Sequence, residues 1–282
     1  MERGFVKRGG NSMKDYVARQ KQRLKKNIED NELKPTLAIV QVGDDPASNA
    51  YIKGKIKDCD ELGIEYLHLK FTGHISQRKF NDEIMELNDD QNIDGIIVQL
   101  PLPKHLTLNT HLIDVDKDVD GFRDDSTYIP CTPSGIHSYL CSSGVMLHGK
   151  NVVIIGRSDV VGKPMAKLML ASNATVTVCH SNTEDISMYT KIADIIIVAV
   201  GRRNILTRDM IGDNRPIVID VGINRDENGK LCGDCDYDNL VDVCEYVSPV
   251  PGGVGLLTRL ALMQNVVWAA SVRMAERREE DE

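Results

Sequence analysis

No stretch of this chain approaches the about 18 consecutive apolar residues that a membrane-crossing helix needs. Its opening run, MERGFVKRGG, also lacks the apolar core of a secretory leader. Positive charge is in deficit: 34 Lys and Arg stand against 42 Asp and Glu, a net charge of −8. That balance excludes a broad nucleic-acid surface, which needs clustered cations. Some of the acid lies in the tail Glu276 to Glu282 (ERREEDE), which reads as a frayed, solvated helix end. A disulfide framework is missing too. The seven cysteines, at 59, 131, 141, 179, 232, 235 and 244, are odd in number and scattered, as in a reducing compartment such as the cytoplasm. Cys232 and Cys235 form a CxxC, but no second pair completes a zinc set, so no metal is expected and two neighbouring loop thiols is the simpler reading. Internal repeats and low-complexity segments are absent as well.

What is present is a soluble composition, 41% apolar and 27% charged, on 282 residues, which is enough for two domains. The organising stretch is Lys150 to Pro164, KNVVIIGRSDVVGKP. Val152 to Ile155 is a short β-branched run that stops at Gly156, as a buried parallel strand does. Gly162-Lys163-Pro164 then leads into a helix whose apolar side includes Met165, Leu168 and Met169. A strand, a Gly-bounded turn and a helix N-terminus predict an anion cradle in which free backbone N–H groups point at a ligand. The spacing Gly156 to Gly162 lacks the middle glycine of GxGxxG, so the loop alone is not diagnostic. Between the glycines, Arg157 and Ser158 stand where a phosphate would pass. The next strand, Ala174 to Cys179, ends in His180 and Ser181 without the carboxylate that would bond a ribose 2′-hydroxyl. Arg157 with the Ser158 and Ser181 hydroxyls suits a 2′-phosphate, so NADP is expected rather than NAD. A solvated loop charge is the alternative use of Arg157.

Along the chain, Met13 to Asn31 reads as a helix with Tyr16, Val17, Leu24 and Ile28 near one face. Strands follow at Thr36–Val42, Glu65–Phe71 and Asp94–Leu100. Between them run a helix from Pro46 or Ser48 to Gly63 and another capped by Ser76, carrying Phe80, Ile84, Met85 and Leu87. Thr132-Pro133 predicts an N-cap and N1 proline for a helix through Leu140. Strand–helix alternation resumes with strands at Asn151–Ile155, Ala174–Cys179, Asp194–Val200 and Pro216–Val221. A last helix, Gly255 to Arg278, presents Leu260, Met263, Val267 and Val272 as one stripe. The alternation predicts α/β architecture: two doubly wound domains with parallel sheets, the second of Rossmann type and NADP-binding. The boundary falls between Gly121 and Thr132, where the chain turns polar and irregular.

Ligands of open parallel sheets gather outside the carboxyl ends of the strands. The turn after the first strand leads to Tyr51-Ile52-Lys53-Gly54-Lys55-Ile56-Lys57. On a helix Tyr51 and Lys55 share a face, about 40° apart, while Lys53 and Lys57 point elsewhere. Lys55 is thereby singled out, against the ordinary reading of a lysine snorkelling at the surface. Gln99 ends the third strand and Asp120 precedes Gly121; each suits a turn equally well.

Several longer runs resemble the bifunctional methylenetetrahydrofolate dehydrogenase/methenyltetrahydrofolate cyclohydrolase family. They are VGDDPASNAYIKGKIK (42–57), EIMELNDDQNIDGIIVQLPLP (83–103), DKDVDGF (116–122), PCTPSG (130–135), GRSDVVGKP (156–164), DVGIN (220–224) and PVPGGVG (249–255), in family order from about Thr36 to Met263. The resemblance implies two α/β domains flanking a cleft, 1–122 with 257–282 for folate and catalysis and 123–256 for NADP, and a homodimer. It implies that 5,10-methylenetetrahydrofolate is oxidised by hydride transfer to NADP, and that the methenyl product is hydrolysed to 10-formyltetrahydrofolate, in one-carbon metabolism and purine biosynthesis. Lys55 is then the key residue of hydrolysis, Gln99 tunes it, Tyr51 packs on the aminobenzoate ring and Asp120 holds the pterin. Val98, Leu100, Pro251, Gly252 and Gly255 line the folate site, and Ile223 joins Gly156, Arg157, Ser158, Gly162 and Ser181 around the cofactor. No nucleic-acid or membrane partner is implied.

The chain departs from the family pattern in a short Phe122–Ile129 loop, in Leu256-Leu257 where Pro-Met is usual after PGGVG, in Arg259, and in the segment before Thr36. A dehydrogenase of the same architecture acting on a shikimate-type hydroxy acid, and a non-catalytic folate- or nucleotide-binding protein, are the competing readings. The Tyr51, Lys55 and Gln99 trio with PGGVG argues against the first.

Overall fold

A computed structural model describes residues 12–280; the opening run MERGFVKRGG and the last two residues of the acidic tail lie outside them. The chain forms two compact units. One comprises Arg19–Cys131 with 259–280, the other 12–18 with Thr132–Thr258. Each is built on its own parallel sheet, of three and five strands.

In the three-stranded unit the chain runs α1 (Met13–Asp30), β1 (Thr36–Val42), α2 (Pro46–Leu62), β2 (Glu65–Phe71), α3 (Gln77–Asp89) and β3 (Gly95–Val98). The sheet order is β2-β1-β3, so the chain leaves central β1 to one side and returns on the other. Alternate side chains of β1 serve two cores, as the period of a strand dictates. Leu37 and Ile39 join Ile52, Cys59 and Leu62 of α2, whereas Ala38, Val40 and Val42 join Phe80, Ile84 and Leu87 of α3. The caps follow from sequence. The Asp45 side chain accepts from Ser48 N at 2.8 Å with Pro46 in the first turn, left-handed Gly63 ends α2, and Ser76 Oγ accepts from Lys79 N.

The five-stranded unit continues with α4 (Cys131–Ser142), β4 (Asn151–Ile155), α5 (Gly162–Ala171), β5 (Thr175–Cys179), α6 (Ser187–Thr190), β6 (Ile195–Val198) and β7 (Ile217–Asp220). An antiparallel pair, β8 (Asn224–Arg225) and β9 (Leu231–Cys232), precedes α7 (Tyr237–Leu240), β10 (Tyr246–Val247) and the long α8 (Val254–Glu280), whose residues from 259 on belong to the three-stranded unit. The order β10-β7-β6-β4-β5 reverses at β4, which has β5 on one side and β6 on the other. Such a reversal leaves a crevice at the strand ends where ligands of doubly wound sheets bind. No helix among the described residues is long and apolar enough to cross a membrane.

The structure corrects three expectations. α4 begins at Cys131, so Thr132 is inside the helix rather than its cap; its Oγ1 instead lies 2.9 Å from Thr258 Oγ1. Pro133 is tolerated there because first-turn N–H groups have no helical acceptor. On α8, Leu260, Met263 and Val267 are buried, but Val272 is 38% exposed, since five positions past Val267 is about 140° around the helix. Strands β3, β6 and β7 are shorter than the apolar runs suggest. Beyond Val98 the chain stays extended, with Gln99 N donating to Val40 O, but the ladder has ended.

Candidate functional site

Two groups of expected site residues sit at strand ends, one in each unit. In the three-stranded unit α2 leaves the end of β1 and places Tyr51 and Lys55 one turn apart, both half-buried. Lys55 Nζ lies 3.3 Å from Gln99 Oε1, just past β3, and Gln99 Nε2 donates to Leu100 O at 2.8 Å. The glutamine is thereby held with its oxygen toward the lysine. Leu100 is exposed and Val98 is buried in the core, so Val98 offers its backbone and its support of β3 rather than a side-chain surface.

The segment after β3 returns to this place by a close approach. A Cβ at Gly95 would strike the Val119 methyls, so the 118–121 turn lies against β3. Asp118 is buried, and its carboxylate accepts from Phe122 N and Arg123 N at 3.2 and 2.9 Å. Gly121 has φ +70°, and a Cβ there would meet Tyr128 O and Pro130 N at 2.8 Å, which admits only glycine. The short loop that follows is closed by Arg123, bidentate to Asp125 at 2.7 Å and donating to Ile113 O at 2.6 Å.

Asp120 itself is partly buried, with no backbone N–H donating to its carboxylate among the described residues; the Cys131 thiol lies beside it and donates to Val119 O at 3.3 Å. Burial pushes the Asp120 carboxyl above the usual range, against the pull of the Lys55 charge and with the push of Asp118. Burial also raises the Tyr51 phenol, here against the charge of Arg259. An aromatic, an amine, an amide oxygen and a carboxylate short of donors thus share one strand-end face. Such a set can hold a flat heterocycle with N–H groups and relay a proton beside it.

In the five-stranded unit Gly156 has φ +122° and a Cβ there would collide with Ala199 O, while one at Gly162 would collide with Gly156 O. The loop therefore folds tightly against the ends of β4 and β6. Its first-turn donors are not free, contrary to expectation. Ser158 Oγ accepts from Val161 N at 3.2 Å and Gly162 N at 3.4 Å, and Ser158 O accepts from Lys163 N. With Pro164 next, the start of α5 satisfies itself, and a phosphate grip shifts to side chains. Arg157 is exposed, and the Ser158 hydroxyl retains its O–H to donate. Ile155 pairs with Cys179, so Arg157 and Ser181 emerge two residues beyond paired positions of neighbouring strands. Ser181 is exposed, and the end of β5 carries no carboxylate. These residues fit a 2′-phosphorylated dinucleotide.

Pro251, Gly252 and Gly255 lie around the start of α8; Gly252 has φ +94°, and a Cβ there would come within 3.2 Å of Lys14 Cε. Ile223 is exposed in the turn after β7. Below that turn lies a polar network that sequence did not reveal. Asp220 accepts from Gly222 N, Asp234 N and Cys235 N at 2.9–3.1 Å, and Asp234 accepts from Val200 N and Gly201 N at 2.7 and 2.9 Å. The CxxC pair is free; Cys235 is buried, its thiol held well above its usual range by burial, and its backbone serves Asp220.

Comparison with known proteins decides what these two strand-end groups belong to. A family model described as the tetrahydrofolate dehydrogenase/cyclohydrolase catalytic domain matches residues 9–120, and its NAD(P)-binding counterpart matches 130–274. The chain belongs to the tetrahydrofolate dehydrogenase/cyclohydrolase family. A bifunctional protein FolD of Bacillus anthracis is 46% identical over 254 residues, covering 86% of this chain and 88% of that protein. The structure of a FolD methylenetetrahydrofolate dehydrogenase/cyclohydrolase from Campylobacter jejuni superposes with TM-score 0.89 at 42% identity, covering 93% and 98% of the two chains. One from Trypanosoma brucei, complexed with NADP cofactor and inhibitor, gives 0.86 at 28%, covering 93% and 97%. As a member of the tetrahydrofolate dehydrogenase/cyclohydrolase family, the chain is an enzyme with methylenetetrahydrofolate dehydrogenase and methenyltetrahydrofolate cyclohydrolase activity, and its Rossmann-type domain binds NAD(P).

Within this family member, sequence reasoning missed Cys131, whose thiol meets Asp120, and Asn265, whose Nδ2 donates to Val119 O at 2.8 Å. It noted Arg259 without placing it. A signal existed for that residue: one arginine interrupts the apolar run LLTRLALM of α8.

Proposed function

We propose that residues of the three-stranded unit hold 5,10-methylenetetrahydrofolate and carry its hydrolysis step, while residues 123–256 hold NADP. The placement of Lys55 Nζ against Gln99 Oε1, beside a carboxylate short of donors, carries this reading. Asp120 accepts from the pterin's amino and ring N–H groups, Tyr51 packs on the aminobenzoate ring, and Pro251, Gly252 and Gly255 line the folate. Arg157 and the Ser158 and Ser181 hydroxyls grip the 2′-phosphate. Bound NADP supplies the hydride acceptor.

Hydride departure from the bridging methylene is driven by a substrate nitrogen lone pair, so the chain's task there is positioning. Hydration of the methenyl cation differs. The adding water must give up a proton, and Lys55 Nζ, steadied by Gln99, is placed to relay it. The product, 10-formyltetrahydrofolate, serves one-carbon metabolism including purine synthesis. We place the enzyme in the cytoplasm, supported by its unpaired cysteines, and read it as a homodimer. The exposed edge strand β2, with Tyr66 and Leu67 40% and 42% exposed, supports a second copy as cover.

Lys55→Met is expected to slow decay of the methenyltetrahydrofolate absorbance by on the order of 100-fold or more while leaving NADP affinity within about twofold. Normal hydrolysis in that variant removes Lys55 from the mechanism.

A further inference from the structure

The face of α2 that carries Tyr51 and Lys55 also carries Gly54 and Asp58, all within about 100° of arc. One side chain from α8 lies on it. Arg259 Nε faces Asp58 Oδ2 at 2.9 Å, and the same buried carboxylate takes Lys21 Nζ on its other oxygen at 2.7 Å. Asp58 therefore has two cations, and the Lys21 amine alone would neutralise it. Burial works against the charged Lys21, but its bonds to Asp58 and Glu61 hold its pKa above the ordinary value.

Arg259 has more donors than Asp58 can use. Its terminal nitrogens donate to no acceptor among the described residues, and its side chain keeps 24% exposure. The guanidinium occupies space that Gly54 leaves open: a Cβ at Gly54 would collide with Arg259 Nη1. An interior helical glycine costs about 1 kcal/mol against alanine, so the vacancy is not gratuitous. The cation is also close enough to Tyr51 to act on its phenol.

We propose that Arg259 is a specificity-determining residue that binds a carboxylate of the glutamate tail of the folate substrate. The inference rests on the reading that the Tyr51–Lys55 face holds folate. On that substrate the glutamate carboxylates are the anionic groups, and a planar guanidinium edge with free donors matches a carboxylate. The ring system occupies Tyr51, and the tail leaves it past Gly54 toward the guanidinium.

The test compares steady-state kinetics of the full chain on 5,10-methylenetetrahydrofolate and on 5,10-methylenetetrahydropteroate, which lacks the glutamate. The wild-type KM is expected to be about tenfold lower for the folate, a difference of about 1.4 kcal/mol. Arg259→Leu should raise the folate KM to that of the pteroate, with the pteroate KM shifted less than about twofold and kcat changed little. Gly54→Ala should act the same way without altering charge, because its methyl displaces the guanidinium. Equal KM rises on both substrates, or none on the folate, would overturn the proposal. Should Arg259→Leu fail to fold, the wild-type ratio and Gly54→Ala decide, and equal wild-type KM values sink the idea. A wild-type chain that oxidises neither substrate contradicts the proposed function, whereas one that oxidises both alike contradicts only the role of Arg259.

Discussion

Asp120 in the three-stranded unit and Asp220 in the five-stranded unit both have carboxyls raised above the usual range chiefly by burial, yet their surroundings are opposite. Asp220 is 2% exposed and takes three backbone N–H bonds, from Gly222, Asp234 and Cys235. Asp120 takes none among the described residues and has a thiol beside it. Only Asp120 is left without backbone donors among the described residues, and so free to meet a ligand. A saturated carboxylate builds a loop, whereas one short of donors is available for chemistry. The same contrast separates Asp118, which accepts from two backbone groups in its turn, from Asp120 two residues later.

The sharpest way to break this contrast is Asp220→Ala. It strands three buried donors at about 1–3 kcal/mol each, so a stability loss of roughly 3 kcal/mol or more is expected in denaturant unfolding. A loss under about 1 kcal/mol would mean that the network is not structural. Next in size, Asp120→Asn should weaken folate binding by about 1.5–3 kcal/mol in calorimetry, with NADP affinity unchanged.

The same substitution should stabilise the fold at pH 7. Because the folded pKa of Asp120 is raised, its contribution to stability is fully present below the unfolded value of about 3.9 and is lost as pH rises through the folded pKa. The asparagine variant escapes that loss. Its melting temperature should exceed wild type at pH 7, by about 2–4 °C for each 1 kcal/mol, and the gain should vanish near pH 4. A variant less stable than wild type at pH 7 would mean that the Asp120 charge is well partnered after all. The smallest expected effect is Arg157→Ala, a rise in the NADP KM of about tenfold or more with stability unaltered. Equal losses with NAD would make Arg157 a loop-shaping residue.

β1, β2 and β4 were legible to the residue: β1 and β4 are β-branched runs next to Pro35 and Gly156, and β2 alternates Leu and Phe with polar residues after Gly63. Periodicity cannot say where a ladder stops while the chain stays extended, hence the overlong reading at Gln99. Lys55 was separable from Lys53 and Lys57 by helical angle alone, since all three sit on one helix of known phase. Ser158 has a second role that sequence did not reveal, because a hydroxyl in a phosphate loop and a hydroxyl capping a helix look alike; here its oxygen also accepts from Val161 N and Gly162 N at the start of α5. Asp220 and Asp234 were illegible for a related reason. Their acceptors serve backbone groups brought together from β6, β7 and β9, and sequence spacing carries no trace of that convergence.

The fit of Arg259 over Gly54 also ties the two positions together. With any larger residue at 54, the Nη1 end of Arg259 must move off α2, even where Nε stays near Asp58. A side chain at 54 displaces the end of the arginine while it is present, and only gains helix propensity once the arginine is gone. The effect of a substitution at 54 thus depends on the residue at 259, more than 200 residues away in sequence.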